Sequence, residues 1–322
     1  MPFLINRRRF LQASAAVAAT GALALATDAT VVEPNQPELV RVEVPLVGWP
    51  YAWDGFKIAQ LSDFHYDEYF SAVPLRSAIN IVNGLQPDLV VLTGDFVTVP
   101  VFADYLQNAE RAEKDAEPCA RLLGALRARF GVIAILGNHD LGSDRQLVTE
   151  SLQSHDIPVL RNRSIPIEWE GSRIWLSGVD DVLRGKPDIN RTLRAVPRNE
   201  PVVLLVHEPD IADQVALHSV NLQLSGHSHG GQIRFPLIGP PYLPKLAHKY
   251  PRGLYRIGPL TLYTNVGLGT VRLPMRFNCP PEITLLTLRA AAAASKEDRS
   301  PPQRTSEHMR ASLFVGRSSQ NL

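Results

Sequence analysis

Five short apolar runs in this 322-residue chain each end directly before residues that can bind a metal ion. The runs are rich in Val, Ile and Leu, as strands buried on both faces are, and they cover residues 56–62, 88–93, 132–136, 202–206 and 221–224. They are followed by Asp63-Phe64-His65, Gly94-Asp95, Gly137-Asn138-His139-Asp140, His207 and Gly226-His227-Ser228-His229. Because open α/β sheets bind ligands beyond the carboxyl ends of their strands, we expect these residues to converge on one rim of one sheet.

Helical patterns lie between the apolar runs, which predicts an α/β fold. One helix is indicated by an apolar face at the helical period, formed by Leu75, Ala78, Ile79, Val82 and Leu85. We place Pro118 in the first turn of a second helix. Ser143 and Gln146 are expected to form a capping box at the start of a third helix. The second half of the chain is richer in β-structure, with strands expected at 165–169, 173–177, 260–265 and 283–288.

The overall composition excludes several classes of protein. With 45% hydrophobic and 20% charged residues, the chain is not mainly disordered. Its net charge of +1 argues against a dedicated nucleic-acid binder, so no nucleic-acid partner is expected. Cys119 and Cys279 are the only cysteines and could form one disulfide at most, so a disulfide scaffold is also excluded.

Residues 1–29 have the pattern of an export signal. Arg7-Arg8-Arg9-Phe10-Leu11 precedes an uncharged stretch, residues 13–27, that contains the small-x-small pattern Ala24-Leu25-Ala26 near its end. The arginine pair followed by Phe-Leu resembles the twin-arginine (Tat) consensus, so we expect export through the Tat translocase to the periplasm or cell envelope. The stretch is shorter and richer in alanine than a good transmembrane helix of about 20 strongly apolar residues. An uncleaved N-terminus that anchors the protein is the alternative.

The remainder of the chain divides into a folded region and a tail. Residues 39–289 carry the alternating strand and helix pattern and are predicted to form one domain. Residues 290–322 begin with alanines and continue with charged residues, Ser and Pro without apolar periodicity. We predict that this last segment is disordered.

The residue types at the strand ends suit particular ions. Imidazole, carboxylate and amide ligands favour Mn, Fe, Zn or Co over Ca, and a structural zinc site made of cysteines is excluded. The seven candidate ligands are Asp63, His65, Asp95, Asn138, His207, His227 and His229. They are too many for one tetrahedral ion and about right for two ions that share a carboxylate. Two such ions can clamp the attacking and leaving oxygens of a phosphoryl transfer, with a hydroxide between them as nucleophile.

The order of these motifs resembles that of the calcineurin-like metallophosphoesterase superfamily. The family pattern is Asp-x-His, Gly-Asp, Gly-Asn-His-Asp/Glu, His and Gly-His-x-His, and every element is present between Lys57 and Leu288. The resemblance implies a four-layer α/β/β/α sandwich. The segments 226–232, 267–269 and 281–283 resemble the branch of exported or membrane-associated bacterial phosphodiesterases. Relatives in that branch include enzymes similar to the UDP-2,3-diacylglucosamine pyrophosphatases of lipid A synthesis.

The resemblance also implies a role for each site residue. One ion would be held by Asp63, His65 and His229, the other by Asn138, His207 and His227, with Asp95 bridging them. His139 matches the histidine that stabilises the transition state or protonates the leaving oxygen. Many relatives have Gly-Asp-x-x-Asp, whose second Asp orients this histidine, whereas this chain has Thr98 at that position. Asp140 is the nearest substitute by sequence.

A loop after the last ligand motif bears on the substrate. Residues 232–252 are rich in Pro, Leu, Ile, Phe and Tyr, and Arg234, Lys245 and Lys249 are interspersed. An apolar loop with scattered cations suits an amphiphilic phosphate ester, such as a phospholipid or lipid-linked sugar phosphate at a membrane surface. Tyr66 is expected to add an aromatic wall. The alternative is an Ω-loop whose apolar residues simply cover the sheet.

Three functions are therefore considered. The motif series favours a two-metal phosphoesterase that hydrolyses a phosphodiester, pyrophosphate or phosphomonoester. A non-catalytic, metal-dependent binding protein of the cell envelope is the first alternative, although it would have no use for His139. A metal-dependent hydrolase of amides or lactones is the second, and the ordered phosphoesterase motifs argue against it.

Overall fold

Two β-sheets packed face to face form the centre of the computed structural model, which describes residues 6–99 and 105–292. The chain divides into two units, Met1–Ala291 and Ala292–Leu322, and every element below lies in the first. The predicted tail begins too early, because Ala290 and Ala291 still belong to a strand. The rest of that tail, from residue 293 onward, lies outside the described residues.

The helices and strands follow one another in the alternation that the sequence predicts. The first half holds α1 (Arg7–Thr27), β1 (Glu38–Val47), β2 (Lys57–Leu61), α2 (Ala72–Leu85), β3 (Leu89–Leu92), α3 (Tyr105–Leu123), β4 (Val132–Ala134), α4 (Asn138–Gly142) and α5 (Arg145–Ser154). The second half holds β5 (Arg163–Trp169), β6 (Ser172–Gly178), α6 (Ile189–Leu193), β7 (Val202–Leu205), α7 (Ala212–Val215), β8 (Leu222–Ser225), β9 (Gly253–Ile257), β10 (Leu260–Thr264) and β11 (Glu282–Ala291).

The strand order brings the ligand-bearing strand ends to one edge of the sandwich. The first sheet has the order β1-β11-β2-β3-β4, and β2, β3 and β4 are parallel. The second sheet has the order β5-β6-β7-β8-β10-β9, in which β6, β7, β8 and β10 are parallel. A hydrogen bond of 2.9 Å from Gln60 Nε2 in β2 to the Ser225 carbonyl in β8 joins the two sheets near this edge.

Three apolar clusters define the layers. The first lies between the first sheet and helices α2, α3 and α5, and includes Leu75, Val82, Leu123 and Leu152. The second fills the space between the sheets with residues such as Ile58, Val91, Leu176, Leu205 and Leu286. The third lies on the outer face of the second sheet, where Ala212 and Val215 of α7 pack. The molecule is therefore the predicted four-layer α/β/β/α sandwich.

The expectation of one rim on one sheet is wrong. β2, β3 and β4, which precede Asp63, Asp95 and Asn138, belong to the first sheet, whereas β7 and β8, which precede His207 and His227, belong to the second. The ligand-bearing ends still meet because the two sheets stack with these ends at the same edge. Strand pairing depends on contacts between distant residues, so the local pattern does not reveal which sheet a strand joins.

Two helix starts differ from the sequence prediction. Pro118 lies inside α3, which begins at Tyr105, and not in a first turn. An interior proline costs a helix about 3 kcal/mol, and here the packing of buried residues such as Ala116 and Leu123 on the first sheet holds the helix together. The residue that caps α5 is Asp144, whose carboxylate accepts a hydrogen bond of 3.0 Å from the Leu147 amide. The hydroxyl of Ser143 instead donates to the carbonyl of His139, at 3.0 Å.

The N-terminal region is a continuous apolar helix. None of the residues of α1 is buried, and the helical path continues through short π and 3-10 turns to Asn35. Among the described residues, Arg7–Asn35 is one helix of 29 residues that contains an 18-residue window with a mean hydropathy of 1.6, long and apolar enough to cross a membrane. The sequence indicated a shorter apolar stretch because only the uncharged residues were counted, whereas the helix also includes charged residues at both ends. A signal sequence near an N-terminus meets the same criteria.

Candidate metal centre

Side chains from both sheets meet at the carboxyl edge of the sandwich. His207 Nε2 lies 3.2 Å from Asp95 Oδ2, and His229 Nε2 lies 3.4 Å from Asp63 Oδ1. The Nε2 atoms of His65 and His229 face each other at 3.0 Å. All five side chains are buried. Asp63 and His229, which are 166 positions apart in the chain, are thus in direct contact.

The ligand atoms fall into overlapping groups, within each of which all atoms lie within 4.8 Å of one another. These groups are Asp63, His65 and His229; Asp95, His207 and His227; and His65, Asp95 and His139. Asp95 is close both to the group that contains His65 and to the group that contains His207. Its Oδ2 lies 3.5 Å from His65 Nε2 and 3.2 Å from His207 Nε2. The carboxylate of Asp95 therefore stands between two clusters of nitrogen and oxygen ligands.

The turns that carry these side chains are conformationally strained. Five site residues have positive φ angles: Asp63 at 50°, His65 at 40°, Asp95 at 58°, His227 at 67° and His229 at 50°. Non-glycine residues rarely adopt this left-handed conformation, and each such residue costs of the order of 1–3 kcal/mol. Strain of this kind persists where surrounding structure fixes the backbone, and it is concentrated here at the candidate site.

A buried arginine supports the turn at Asp63 from below. The guanidinium of Arg276 donates to the carbonyls of Val266, Gly267, Gly269 and Cys279. The loop that it holds is bonded to the Asp63 turn, since the Gly269 amide donates to the Asp63 carbonyl at 2.8 Å. A Cβ atom at position 269 would lie 2.0 Å from the Phe64 carbonyl oxygen, between the candidate ligands Asp63 and His65. Only glycine fits there.

Backbone carbonyls fix the tautomers of two histidines. His207 Nδ1 lies 2.6 Å from the Thr93 carbonyl, and His227 Nε2 lies 2.8 Å from the Lys245 carbonyl. A carbonyl can only accept, so each of these nitrogens carries a proton, and the other nitrogen of each ring is the one that a metal ion could bind. Metal-binding histidines are oriented in this way by a hydrogen bond at the second ring nitrogen.

His139 is oriented by the backbone, not by a carboxylate. The Val99 amide donates to His139 Nδ1 at 2.8 Å, so in the neutral ring the proton is on Nε2. Thr98 turns toward a different histidine, with its hydroxyl oxygen 3.3 Å from His65 Nδ1. Asp140, the substitute suggested by the sequence, has another role. Its carboxylate accepts hydrogen bonds from the amides of Asp95, Phe96, Val97 and Gly137 and so ties two ligand turns together.

Burial keeps three of the candidate imidazole ligands, His65, His227 and His229, neutral. Burial and the neighbouring His139 hold the pKa of His65 well below its ordinary value, and burial and Arg276 do the same for His229. The pKa of His227 falls to about 4 through burial and the nearby His207. Neutral imidazole is the form that binds a metal ion. These rings are therefore available as ligands at neutral pH.

Three polar atoms at the centre provide a direct test of metal fit. Asn138 Oδ1, His207 Nε2 and His229 Nδ1 are buried and have no hydrogen-bond partner among the described residues. A buried polar atom without a partner costs about 1–3 kcal/mol, and such atoms are uncommon in folded proteins. Divalent ions bound by oxygen and imidazole ligands would satisfy Asn138 Oδ1 and His207 Nε2. His229 turns its other nitrogen, Nε2, toward Asp63 and His65. The residues present therefore fit a metal site.

A cavity of about 550 Å³ opens beside these side chains. Its lining includes the site residues Asp95, Asn138, His139, His227 and His229, and also Leu183, Ile233, Tyr242, Lys245, Arg272 and Leu273. Of the predicted substrate residues, the structure thus brings Lys245 to the cavity. Arg234 binds the Gly230 carbonyl at 2.6 Å, and Lys249 pairs with Asp213 at 2.6 Å. Tyr66 packs in the cluster beneath the first sheet.

Several contributors to the site were not identified from the sequence. Val99 and Thr93 act through backbone atoms, which have no signature in a side-chain pattern. Arg276 lies far along the chain from the turn that it supports. Leu183 follows Asp180-Asp181 at the end of β6, so the rule used for the other strand ends would have found this loop.

Residues 56–231 match the calcineurin-like phosphoesterase family, and residues 4–24 match the TAT (twin-arginine translocation) pathway signal sequence. The chain belongs to the calcineurin-like phosphoesterases. The family match extends from the start of β2 to the turn after His229, and so it includes every candidate ligand. The N-terminal match supports export of the protein.

Similar proteins occur in bacteria and in vertebrates. The metallophosphoesterase YkuE of Bacillus subtilis (strain 168) is 38% identical over 291 residues, which are 89% of this chain and 98% of that protein. Phosphodiesterase YaeI of Escherichia coli (strain K12) is 33% identical over 294 residues, 88% of this chain and 100% of that protein. A transmembrane protein with metallophosphoesterase domain from Danio rerio is 32% identical over 269 residues, 79% of this chain and 58% of that protein. This chain is a metal-dependent phosphoester hydrolase.

The close approach at Gly269 yields a first prediction. Gly269→Ala should displace the turn that holds Asp63 and His65 and weaken metal binding by roughly 10–100-fold, the usual cost of lost support around a metal ligand. Gly84→Ala is the matched control, because a Cβ at that position in α2 meets nothing within 4 Å. Titration with Mn²⁺ followed by calorimetry measures both affinities, and circular dichroism checks the fold. Wild-type affinity in Gly269→Ala would show that this contact does not support the site.

Proposed function

We propose that this phosphoesterase uses two divalent ions, and that Asp95 lies between them. The observation that carries the proposal is the position of the Asp95 carboxylate, within 3.5 Å of His65 Nε2 on one side and 3.2 Å of His207 Nε2 on the other. A single ion would need only one of the two ligand groups, the one with His65 or the one with His207. Shared carboxylates are a common feature of two-metal sites that hydrolyse phosphate esters.

The histidine and aspartate ligands are assigned by proximity, and Asn138 by the family motif in which it stands. Asp63, His65 and His229 would hold one ion, and Asn138, His207 and His227 the other, with Asp95 bound to both. This donor set suits Mn, Fe, Zn or Co, and manganese is the ion that we would add first. Such ions polarise phosphoryl oxygens and lower the pKa of bound water. The protein's contribution is to fix the ligands through hydrogen bonds that the carbonyls of Thr93 and Lys245 and the carboxylate of Asp140 accept.

His139 is proposed to act on the leaving group. Its Nδ1 accepts the Val99 amide, which leaves the proton on Nε2. Burial lowers the pKa of His139, so this ring is a neutral donor at neutral pH. A neutral imidazole that holds one proton at Nε2 can donate a hydrogen bond to a leaving oxygen, or pass the proton to it.

The substrate is proposed to be an amphiphilic phosphate ester. Apart from the site residues, the cavity lining is largely apolar, with Ile233, Tyr242 and Leu273, and it also includes two cations, Lys245 and Arg272. An apolar wall next to a phosphate-binding centre suits a molecule with a lipid part, such as a phospholipid or a nucleotide-linked diacyl sugar similar to UDP-2,3-diacylglucosamine. Hydrolysis of a phosphodiester or pyrophosphate bond is the proposed reaction.

The site of action is proposed to be the periplasm or cell envelope, at the membrane surface. The Tat signal match supports export, and the Tat translocase is the expected partner in that step. The domain limits that accompany this proposal are 1–29 for the signal and 38–291, from β1 to the end of β11, for the catalytic domain. The oriented proton of His139 also argues against a metal-dependent binding protein without catalysis.

The two-metal proposal predicts the effect of changing Asp95. Asp95→Asn removes a negative charge between the ligand sets and should lower kcat/KM on bis-p-nitrophenyl phosphate by more than about 100-fold, beyond the range for residues outside the ligand set. Asp213→Asn is the control, because Asp213 is paired with Lys249 on the surface. Rates are measured with added Mn²⁺. Near-normal activity in metal-loaded Asp95→Asn would refute the two-metal proposal.

The role of His139 predicts a dependence on the leaving group. His139→Ala should keep its metal content and lose roughly 10²–10⁴-fold in rate on an alkyl phosphodiester, the usual contribution of a positioned acid. The loss should be smaller on a p-nitrophenyl ester, because p-nitrophenolate leaves without a proton. His155→Ala serves as control, since His155 contacts Glu117 on the surface. Equal losses on both substrates, or loss of metal, would show that His139 does not act as the acid.

A further inference from the structure

A short apolar hairpin projects beside the cavity. Phe235 and Gly239 close it with two backbone hydrogen bonds, at 3.0 and 2.9 Å. Leu237 and Ile238 at its tip are 108% and 83% exposed, and Leu237 has a φ of +67°. Asn or Gly would occupy this left-handed position with less strain, and the exposed leucine makes no buried contact. The apolar side chains at the tip therefore do not contribute to the stability of the folded domain.

The hairpin continues an apolar border around the cavity. Phe235, Tyr242 and Leu273 are each about half exposed, and Tyr242 and Leu273 also line the cavity. Single exposed apolar residues are normal on a protein surface, whereas a contiguous group at the mouth of a site indicates an interaction surface. The surface extends from the candidate ligands to the tip of the hairpin.

The segment that builds this surface carries Lys and Arg but no acidic residue. Residues 214–281 contain no Asp or Glu, in a protein whose overall net charge is only +1. The cations of the segment are Arg234, Lys245, Lys249, Arg252, Arg256, Arg272 and Arg276. Within residues 6–99 and 105–292, Lys249 is the one of these seven that forms an ion pair with a carboxylate. Three of the seven lie beside the hairpin or the cavity, because Arg234 adjoins Phe235, Arg272 contacts the Tyr242 hydroxyl at 3.0 Å and Lys245 lines the cavity. Arg276 is buried and does not belong to this surface. Apolar tips near cations without a carboxylate partner are typical of surfaces that bind anionic lipid headgroups while apolar side chains enter the acyl region.

The apolar N-terminal helix is fastened to the same part of the molecule. Downstream of α1, the Ala29 carbonyl accepts the Arg276 amide at 2.8 Å, and the Glu33 carboxylate accepts the Asn278 amide at 2.9 Å. The intervening Phe277 is bonded to the base of the hairpin, because the Arg234 amide donates to its carbonyl at 2.8 Å. A helix apolar enough to cross a membrane and an exposed apolar hairpin are therefore both attached to the loop at residues 276–279.

We propose that the hairpin tip, Leu237 and Ile238, inserts into the surface of an anionic lipid bilayer and places the mouth of the cavity against the membrane. This inference extends the proposed amphiphilic substrate, and it names the bilayer as the partner surface. The basic segment and the attached apolar helix favour a membrane over a protein partner or a second copy of this chain. The cations would contact lipid phosphates while the two apolar side chains enter the interface.

The test places an environment-sensitive label at the tip. Cys119 and Cys279 are both buried, so a thiol-reactive nitrobenzoxadiazole dye should react with an introduced cysteine in full-length Leu237→Cys. Leu217→Cys is the matched control, because Leu217 is 85% exposed but precedes β8, at the edge opposite the ligands. Each labelled protein is mixed with vesicles of phosphatidylcholine alone or of phosphatidylcholine with phosphatidylglycerol.

Insertion predicts a blue shift and a several-fold rise in emission for the label at 237 with phosphatidylglycerol vesicles. The label at 217 should not change, even if α1 brings the whole protein to the membrane. No response at 237, an equal response at both positions, or a response at 237 that rises with protein concentration in the absence of vesicles would overturn the proposal. Hydrolysis of soluble bis-p-nitrophenyl phosphate by the unlabelled wild type reports separately on the proposed function.

Discussion

The carboxylate of Asp95 is the interaction on which the rest of the site depends. One oxygen accepts the His139 amide at 2.8 Å, and the other faces His65 and His207. Burial alone would raise the pKa of Asp95, but the charge and the contact of His207 hold it well below its ordinary value, so the group is a carboxylate at neutral pH. A single negative charge thus connects the turns after β2, β4 and β7, which come from both sheets.

The sandwich supplies the rigidity that such a site needs. The strands before the ligand turns are almost completely buried, and the apolar cluster between the sheets fixes the separation of their ends. This packing offsets the strain of five left-handed residues and the cost of several unpartnered polar atoms. Because these groups converge only in the folded chain, metal binding and folding are coupled. The centre is destabilising by itself and would be stabilised by the ions that it binds.

The sequence was a good guide to the strand ends and a poor guide to what surrounds them. A run such as 202–206 followed by His207 is a local pattern, and the structure has β7 at Val202–Leu205. The assignment of that strand to a second sheet depends on long-range pairing, which no local pattern records. The orientation of His139 by the Val99 amide could not be predicted either, because a backbone donor exists at every residue except proline. The strand β1 was missed although 38–46 partly alternates apolar and polar residues.

Anomalous diffraction from crystals of the protein as purified tests the central claim most directly. Data collected across the absorption edges of Mn, Fe, Co and Zn would locate each ion and identify it. The two-metal account predicts two peaks, one among Asp63, His65 and His229 and one among Asn138, His207 and His227, with the Asp95 carboxylate between them. A single peak at full occupancy, or two peaks of which one does not contact Asp95, would contradict it.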